Sequence, residues 1–218
     1  MDQQGAYMTE KGKTNKTALI VVDLQNDFIP GGALAVHDGD QIISVINGLL
    51  KKDFAIKVAT KDWHPQDHGS FAVNQGKKPG EKIVLKGLEQ ILWPVHCVQG
   101  TSGSDFAKKF ETGRIEKVFY KGTDKEIDSY SCFFDNGHFK ETGLDAYLKQ
   151  NQVTAVYFVG LATDYCVKAS VLDSLKLGYQ TYLIEDGCRG VNLQKNDTQE
   201  AIKMMQEAGC HLVHSQDL

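Results

Sequence analysis

ALIVVDLQNDF (residues 18–28) decides the fold. With Thr17 ahead of it, the stretch begins as an unbroken apolar run that Asp23 closes. A run without polar alternation reads as a strand buried on both faces, the kind found inside parallel sheets. The next residues, NDFIPGGALAVHDGD (26–40), carry Pro30, Gly31 and Gly32 and must be a loop. Then Ile42, Ile43, Val45, Ile46, Leu49 and Leu50 recur at helical spacing over 41–50. The alternation continues outward. Further strands are expected at 55–60, 115–121, 153–160, 179–184 and 210–214. Helices are expected at 104–110, 142–150, 163–177 and 197–208, the last capped by Gly209. Residues 61–103 and 122–139 show no convincing helix, and connections of that length usually carry function. The pattern predicts an α/β fold: three αβα layers around a doubly wound, mainly parallel, six-stranded sheet. Ligands in such sheets bind at the carboxyl ends of the strands, near the switch in strand order.

A chain of 218 residues suits one α/β domain with a full core, expected over 17–218 behind a flexible polar tail at 1–16. Lys and Arg number 24 against 28 Asp and Glu, and the basic residues form no stripe. Neither nucleic acid nor a membrane surface is expected as a partner. No run reaches the length of a membrane span, and the N-terminal stretch has no apolar core of a signal peptide. The five cysteines are odd in number and irregularly spaced, which argues against a disulfide framework and for a reducing compartment. A cytoplasmic location is expected. The helix faces reveal no clear interface, so a monomer and a homo-oligomer both stay open.

Three apolar runs end on chemically active residues: Asp23, Lys121 in VFYKG (118–122) and Cys166 in VYFVGLATDYC (156–166). Cys166 falls in the first turn of a helix, where unpaired N–H groups favour negative charge and lower a thiol pKa. A cationic Lys121 would add to that effect, and Asp23 could take the thiol proton. Together they supply the parts of an acyl-transfer nucleophile. Each alone has a blander reading. Cys166 could be a small buried residue, Lys121 and Asp23 a structural ion pair, or Asp23 a loop cap. Metal chemistry enters through KDWHP (61–65), where Asp62 and His64 point the same way on an extended segment. His96, after Trp93 and Pro94, is the distant third ligand. Asp plus two His leaves open positions on zinc, manganese or iron. His68 is a weaker candidate, as a fourth ligand or a group behind the ligands.

DLQNDF (23–28), KDWHP (61–65), WPVHC (93–97), FYKG (119–122), DSYSCFFDNG (128–137), GLATDYCV (160–167) and DGCRG (186–190) together resemble nicotinamidases, which belong to the isochorismatase-like cysteine hydrolases. The likeness runs from about residue 17 to the C-terminus. It implies hydrolysis of nicotinamide to nicotinic acid and ammonia through a thioester, with pyrazinamide as a side substrate. It implies Asp23 as general base, Lys121 as the stabilising cation and Cys166 as nucleophile. One divalent ion, zinc before manganese or iron, would be held by Asp62, His64 and His96, with no organic cofactor. A non-proline cis peptide would join Leu161 and Ala162 and turn the Ala162 N–H toward an oxyanion, beside that of Cys166. Phe28, Trp93, Tyr130 and Leu161 would line the substrate pocket. The rival readings are an amidohydrolase of the same superfamily acting on another small amide or ureido compound, and a noncatalytic binding protein on the same fold.

Overall fold

The structure, a computed structural model, describes residues 16–218. The expected tail lies outside these residues except for Lys16, which opens the first strand. In chain order the elements are β1 (Lys16–Val22), α1 (Ile42–Leu49), β2 (Ile56–Asp62), β3 (Lys82–Leu85), β4 (Leu88–Ile91), β5 (Lys117–Lys121), α2 (Leu144–Gln150), β6 (Val153–Leu161), α3 (Lys168–Lys176), β7 (Gln180–Arg189), α4 (Asp197–Glu207) and β8 (His211–Val213). Six strands form one sheet in the order β5-β2-β1-β6-β7-β8, and every neighbouring pair is parallel. The three-layer αβα reading therefore holds.

The apolar run that opens the chain behaves as a two-faced strand should. Ala18, Ile20 and Val22 face one core, shared with Leu144 and Leu148 of α2, Val171 of α3 and Met205 of α4. Leu19 and Val21 face the other, shared with Ile42, Ile46 and Leu49 of α1. Alternate residues on one strand thus seal both layers, which is why no polar residue interrupts it. The strand order reverses between β1 and β6. Asp23 follows β1 and Ala162 follows β6, so both stand at the switch point.

The structure departs from the sequence pattern in two places. Residues 61–103 contain an antiparallel hairpin, β3–β4, whose two turn residues Lys86 and Gly87 both take left-handed backbone. That is the turn geometry two-residue hairpins favour. The hairpin stands apart from the main sheet with Val84 exposed, so its strands lack a strong apolar face to announce them. The helix expected at 104–110 does not form. There the Asn26 N–H donates to Asp105 O at 2.9 Å and the Ala107 N–H to Leu24 O at 2.9 Å. These bonds draw the segment out against the loop after β1, and only short 3₁₀ turns remain at Ser102–Ser104 and Thr112–Arg114.

Gly160, near the end of β6, is required by contact and by backbone. Its φ is +119°, and a Cβ there would stand 2.0 Å from Val22 O. Gly160→Ala is expected to lower stability by about 3 kcal/mol or more, because backbone strain and overpacking each cost about 1–3 kcal/mol. Denaturant midpoints of the two proteins check this.

Candidate active site

The ends of β1, β2, β5 and β6 bring Asp23, Asp62, Lys121 and Cys166 together beneath one cavity. Lys121 closes β5 and is 2% exposed, as deep as the core around it. Its Nζ lies 2.8 Å from Asp23 Oδ2 and in tight contact with Asp62 Oδ1. It also donates to Ser129 O at 2.9 Å and reaches Cys166 Sγ at 3.4 Å. An ammonium has three protons for these four neighbours. Asp23 Oδ2 is the neighbour that goes short: it receives no aligned hydrogen bond from the protein, although it touches the cation. The other oxygen, Oδ1, accepts from Thr60 Oγ1 at 2.6 Å. Asp23 is thus ion-paired through Oδ2 and has an oxygen within 4.8 Å of Cys166 Sγ.

Burial works against every charge here. It would lower the Lys121 pKa, but the Asp23 and Asp62 carboxylates outweigh it and hold the amine well above its usual value. Lys121 is a permanent cation. Burial raises Asp23, with the Lys121 charge opposing the rise. For Asp62, burial also raises, but Lys121 and His64 prevail and hold it well below the usual carboxylate range. Cys166 corrects the sequence reading. A helix start and a nearby lysine predict a lowered thiol pKa; burial instead pushes it well above the usual value, and Lys121 offsets only part of that. Burial thus favours the thiol, and Asp23 stands close enough to take its proton.

Cys166 rides on a π-helical turn, Thr163–Val167, set between β6 and α3. Single π turns of this kind recur at functional sites. The Ala162 carbonyl accepts from both Tyr165 and Val167 N–H at 3.1 Å, which pins the turn to the strand end. The Leu161–Ala162 peptide is cis, as the resemblance implies.

Above the thiol lies a small cavity of about 30 Å³. Phe28, Trp93 and Tyr130 line it as expected, together with Ala162 and Cys166. Trp93 donates Nε1–H to the Tyr130 hydroxyl at 3.1 Å and meets Tyr165 edge-on at 4.9 Å. Leu161, expected in the pocket, packs instead into the core on the α1 side, because the last residue of a buried strand must bury its own side chain.

Asp62, His64 and His96 also converge, with candidate ligand atoms within 4.8 Å of one another. His64 Nδ1 faces Gly122 O at 2.9 Å and His96 Nδ1 faces Pro94 O at 2.8 Å. A carbonyl can only accept, so each ring carries its proton on Nδ1 and offers Nε2 as a lone pair. The two Nε2 atoms lie 3.5 and 3.7 Å from Asp62 Oδ2, and His64 Nε2 is buried without a hydrogen-bond partner. Two nitrogens and a carboxylate oxygen, freed toward one point, fit a divalent cation. Gly122 makes this possible: its φ is +63°, and a Cβ there would stand 2.3 Å from the His64 ring. His68 is arranged differently. Its Nδ1 meets Ser70 Oγ at 2.7 Å and accepts the Ser70 backbone N–H at 3.2 Å. Its Nε2 is buried without a hydrogen-bond partner, and His68 also converges with His64 and Asp128.

Other residues at the site were not singled out from sequence. Gln25 brackets Asp62, donating to its carbonyl and accepting from its N–H, both at 2.8 Å. Asp128, Tyr165 and Val191 line the cavity. Gln25, Asp128 and Tyr165 stand inside quoted motifs, and their presence there was the available signal. Val191 had only its place beside DGCRG.

This arrangement, a lysine and carboxylate around a buried thiol at the switch point of a parallel sheet, defines the class of cysteine hydrolases with an isochorismatase-like fold. Residues 17–217 match the Isochorismatase domain, and the chain belongs to that family. Within it, the chain is closely related to nicotinamidases. It is 47% identical to nicotinamidase of Escherichia coli over 199 residues, covering 89% of this chain and 93% of that one. A solved nicotinamidase/pyrazinamidase of Acinetobacter baumanii superposes with a TM-score of 0.90 at 43% identity, covering 94% of this chain and 99% of that one. A pyrazinamidase of Pyrococcus horikoshii in complex with zinc superposes with a TM-score of 0.75 at 37% identity, covering 91% and 99%.

The raised Cys166 pKa has a direct readout. Iodoacetamide modification of Cys166, followed by mass spectrometry, should speed up about tenfold per pH unit through neutrality, with no plateau below about pH 9. A plateau reached near pH 6 would mean a thiolate already formed at rest.

Proposed function

We propose that this chain hydrolyses nicotinamide to nicotinic acid and ammonia through a thioester on Cys166, returning the pyridine ring to NAD synthesis. The observation that carries the reading is the Asp23 carboxylate, with an oxygen within 4.8 Å of a buried thiol that Lys121 also touches. Kinship with nicotinamidases supplies the substrate.

Asp23 takes the Cys166 proton as sulfur attacks the carboxamide carbon. The N–H groups of Ala162 and Cys166 receive the oxyanion. Protonated Asp23 then gives its proton to the departing ammonia. Water adds to the thioester with Asp23 again as base, and nicotinic acid leaves. Lys121 stays cationic throughout and balances whichever of Asp23 and Cys166 is charged. Phe28, Trp93 and Tyr130 flank the flat ring, which admits pyrazinamide as a side substrate.

Asp62, His64 and His96 would hold one divalent ion, for which zinc suits the donor set and manganese or iron are alternatives. When bound, that ion would orient the ring nitrogen and supply ordered water. No organic cofactor enters the chemistry. No helix among the described residues is long and apolar enough to cross a membrane, and all five cysteines are free, which suits the cytoplasm.

Ammonia release from nicotinamide by the purified protein tests the reaction. Cys166→Ala should abolish release while leaving the circular dichroism spectrum unchanged; turnover by that variant would sink the thioester. Metal content tests the ligand set. His64→Ala should lose the bound ion, and His68→Ala should keep one ion per chain, because Asp62, His64 and His96 converge without it. Loss of metal from His68→Ala would make it a ligand after all.

A further inference from the structure

Between β7 and α4 the chain crosses residues 190–196, GVNLQKN, without regular structure. Strand pairing holds this strap as far as Arg189, and Gln194 N–H donates to Asp197 at its far end. The middle has neither support, yet Val191 lines the cavity together with Cys166. Packing of the Val191 side chain against the α1-side core does not by itself fix the backbone that follows, where Leu193 is 46% exposed.

A carboxylate on the turn that carries Cys166 does. Asp164 is 2% exposed. Its Oδ1 accepts the Val191 N–H at 2.9 Å and its Oδ2 the Asn192 N–H at 2.7 Å. Bonds from a buried carboxylate to two successive N–H groups are charge-assisted and directional. Asn192 passes the constraint on: its Oδ1 accepts the Thr198 N–H at 3.0 Å, in the first turn of α4. Asp164 does not line the cavity.

We infer that Asp164 is a positioning residue, a clasp that fixes the Val191 wall of the substrate cavity to the turn bearing Cys166. Its purpose is register: the wall that confines the ring moves only as the sulfur moves. The inference rests on the reading of this cavity as the nicotinamide site. It follows that the clasp governs how closely the substrate is held more than how fast it reacts.

Asp164→Asn preserves volume but turns an amide nitrogen toward one of the two N–H donors; Asp164→Ala removes both acceptors. Each should raise KM for nicotinamide about tenfold or more, the scale of one lost hydrogen bond to a charged group, with kcat falling much less. Amide hydrogen exchange at Val191 and Asn192 should accelerate while the β6 amides stay protected. Val191→Ala leaves the buried carboxylate alone, so it should raise KM with Asn192 still protected. A kcat loss at constant KM in the Asp164 variants would overturn the clasp and leave Asp164 a structural part of the turn. So would wild-type exchange at Val191 and Asn192 as fast as at Leu193. If the Asp164 variants do not fold, Val191→Ala and the wild-type exchange decide. If wild-type protein releases no ammonia, the reaction reading fails by itself. The clasp then stands or falls on exchange and on faster alkylation of Cys166 by iodoacetamide in Asp164→Asn.

Discussion

The Lys121 ammonium sits between Asp23 and Asp62 with almost no water around it, and that depth sets the terms for the whole site. Burying a charge costs several kcal/mol after relaxation unless partners surround it. Here the partners come from the ends of three other strands and from the loop after β5, so the cation ties together elements far apart in sequence. Removing the lysine would leave two carboxylates facing each other in the dark, which is far worse than losing one ion pair. The ammonium also separates two tasks. Asp62 spends one oxygen on it and turns the other toward His64 and His96, while Asp23 touches it without a full hydrogen bond. One charge thereby holds one carboxylate beside the histidines and the other beside the thiol.

All five cysteines lie buried, so burial alone cannot mark a nucleophile. It raises Cys188 and Cys210 to about 12 and lifts Cys132 further. Cys166 shares that upward push and differs by contact: its sulfur meets Lys121 and opens onto the cavity. The distinction lies in neighbours rather than in acidity, and it explains why the start of a helix misleads as a guide to this thiol.

Much of this architecture was legible in the chain itself. The unbroken run at residues 18–22 announces a strand buried on both faces, and Asp23, Lys121 and Cys166 are readable because each closes such a run. What escaped the sequence has a common cause. The helix expected at 104–110 gave way to backbone pairing with the loop after β1, a contact no local pattern encodes. The hairpin β3–β4 escaped because strands standing off the main sheet carry little apolar periodicity. Leu161 was misplaced by one residue's orientation: Ala162 faces the cavity and Leu161 the core. The tautomers of His64 and His96 depend on which backbone group each ring meets, and that is written only in three dimensions.

The pairing of β1 with β6 has a consequence for how the chain is made. The two strands at the centre of the sheet are Lys16–Val22 and Val153–Leu161, and they lie side by side. A ribosome releases the first long before the second, and domains complete only when their distant partners have emerged. Until then the most apolar segment of the chain has one edge unpaired, a state that invites association with other chains. Non-local parallel pairing is also intrinsically slow. The same event that closes the sheet delivers Cys166 to Lys121, so a half-made chain has no assembled thiol site. Completion of the centre and birth of the chemistry are one step.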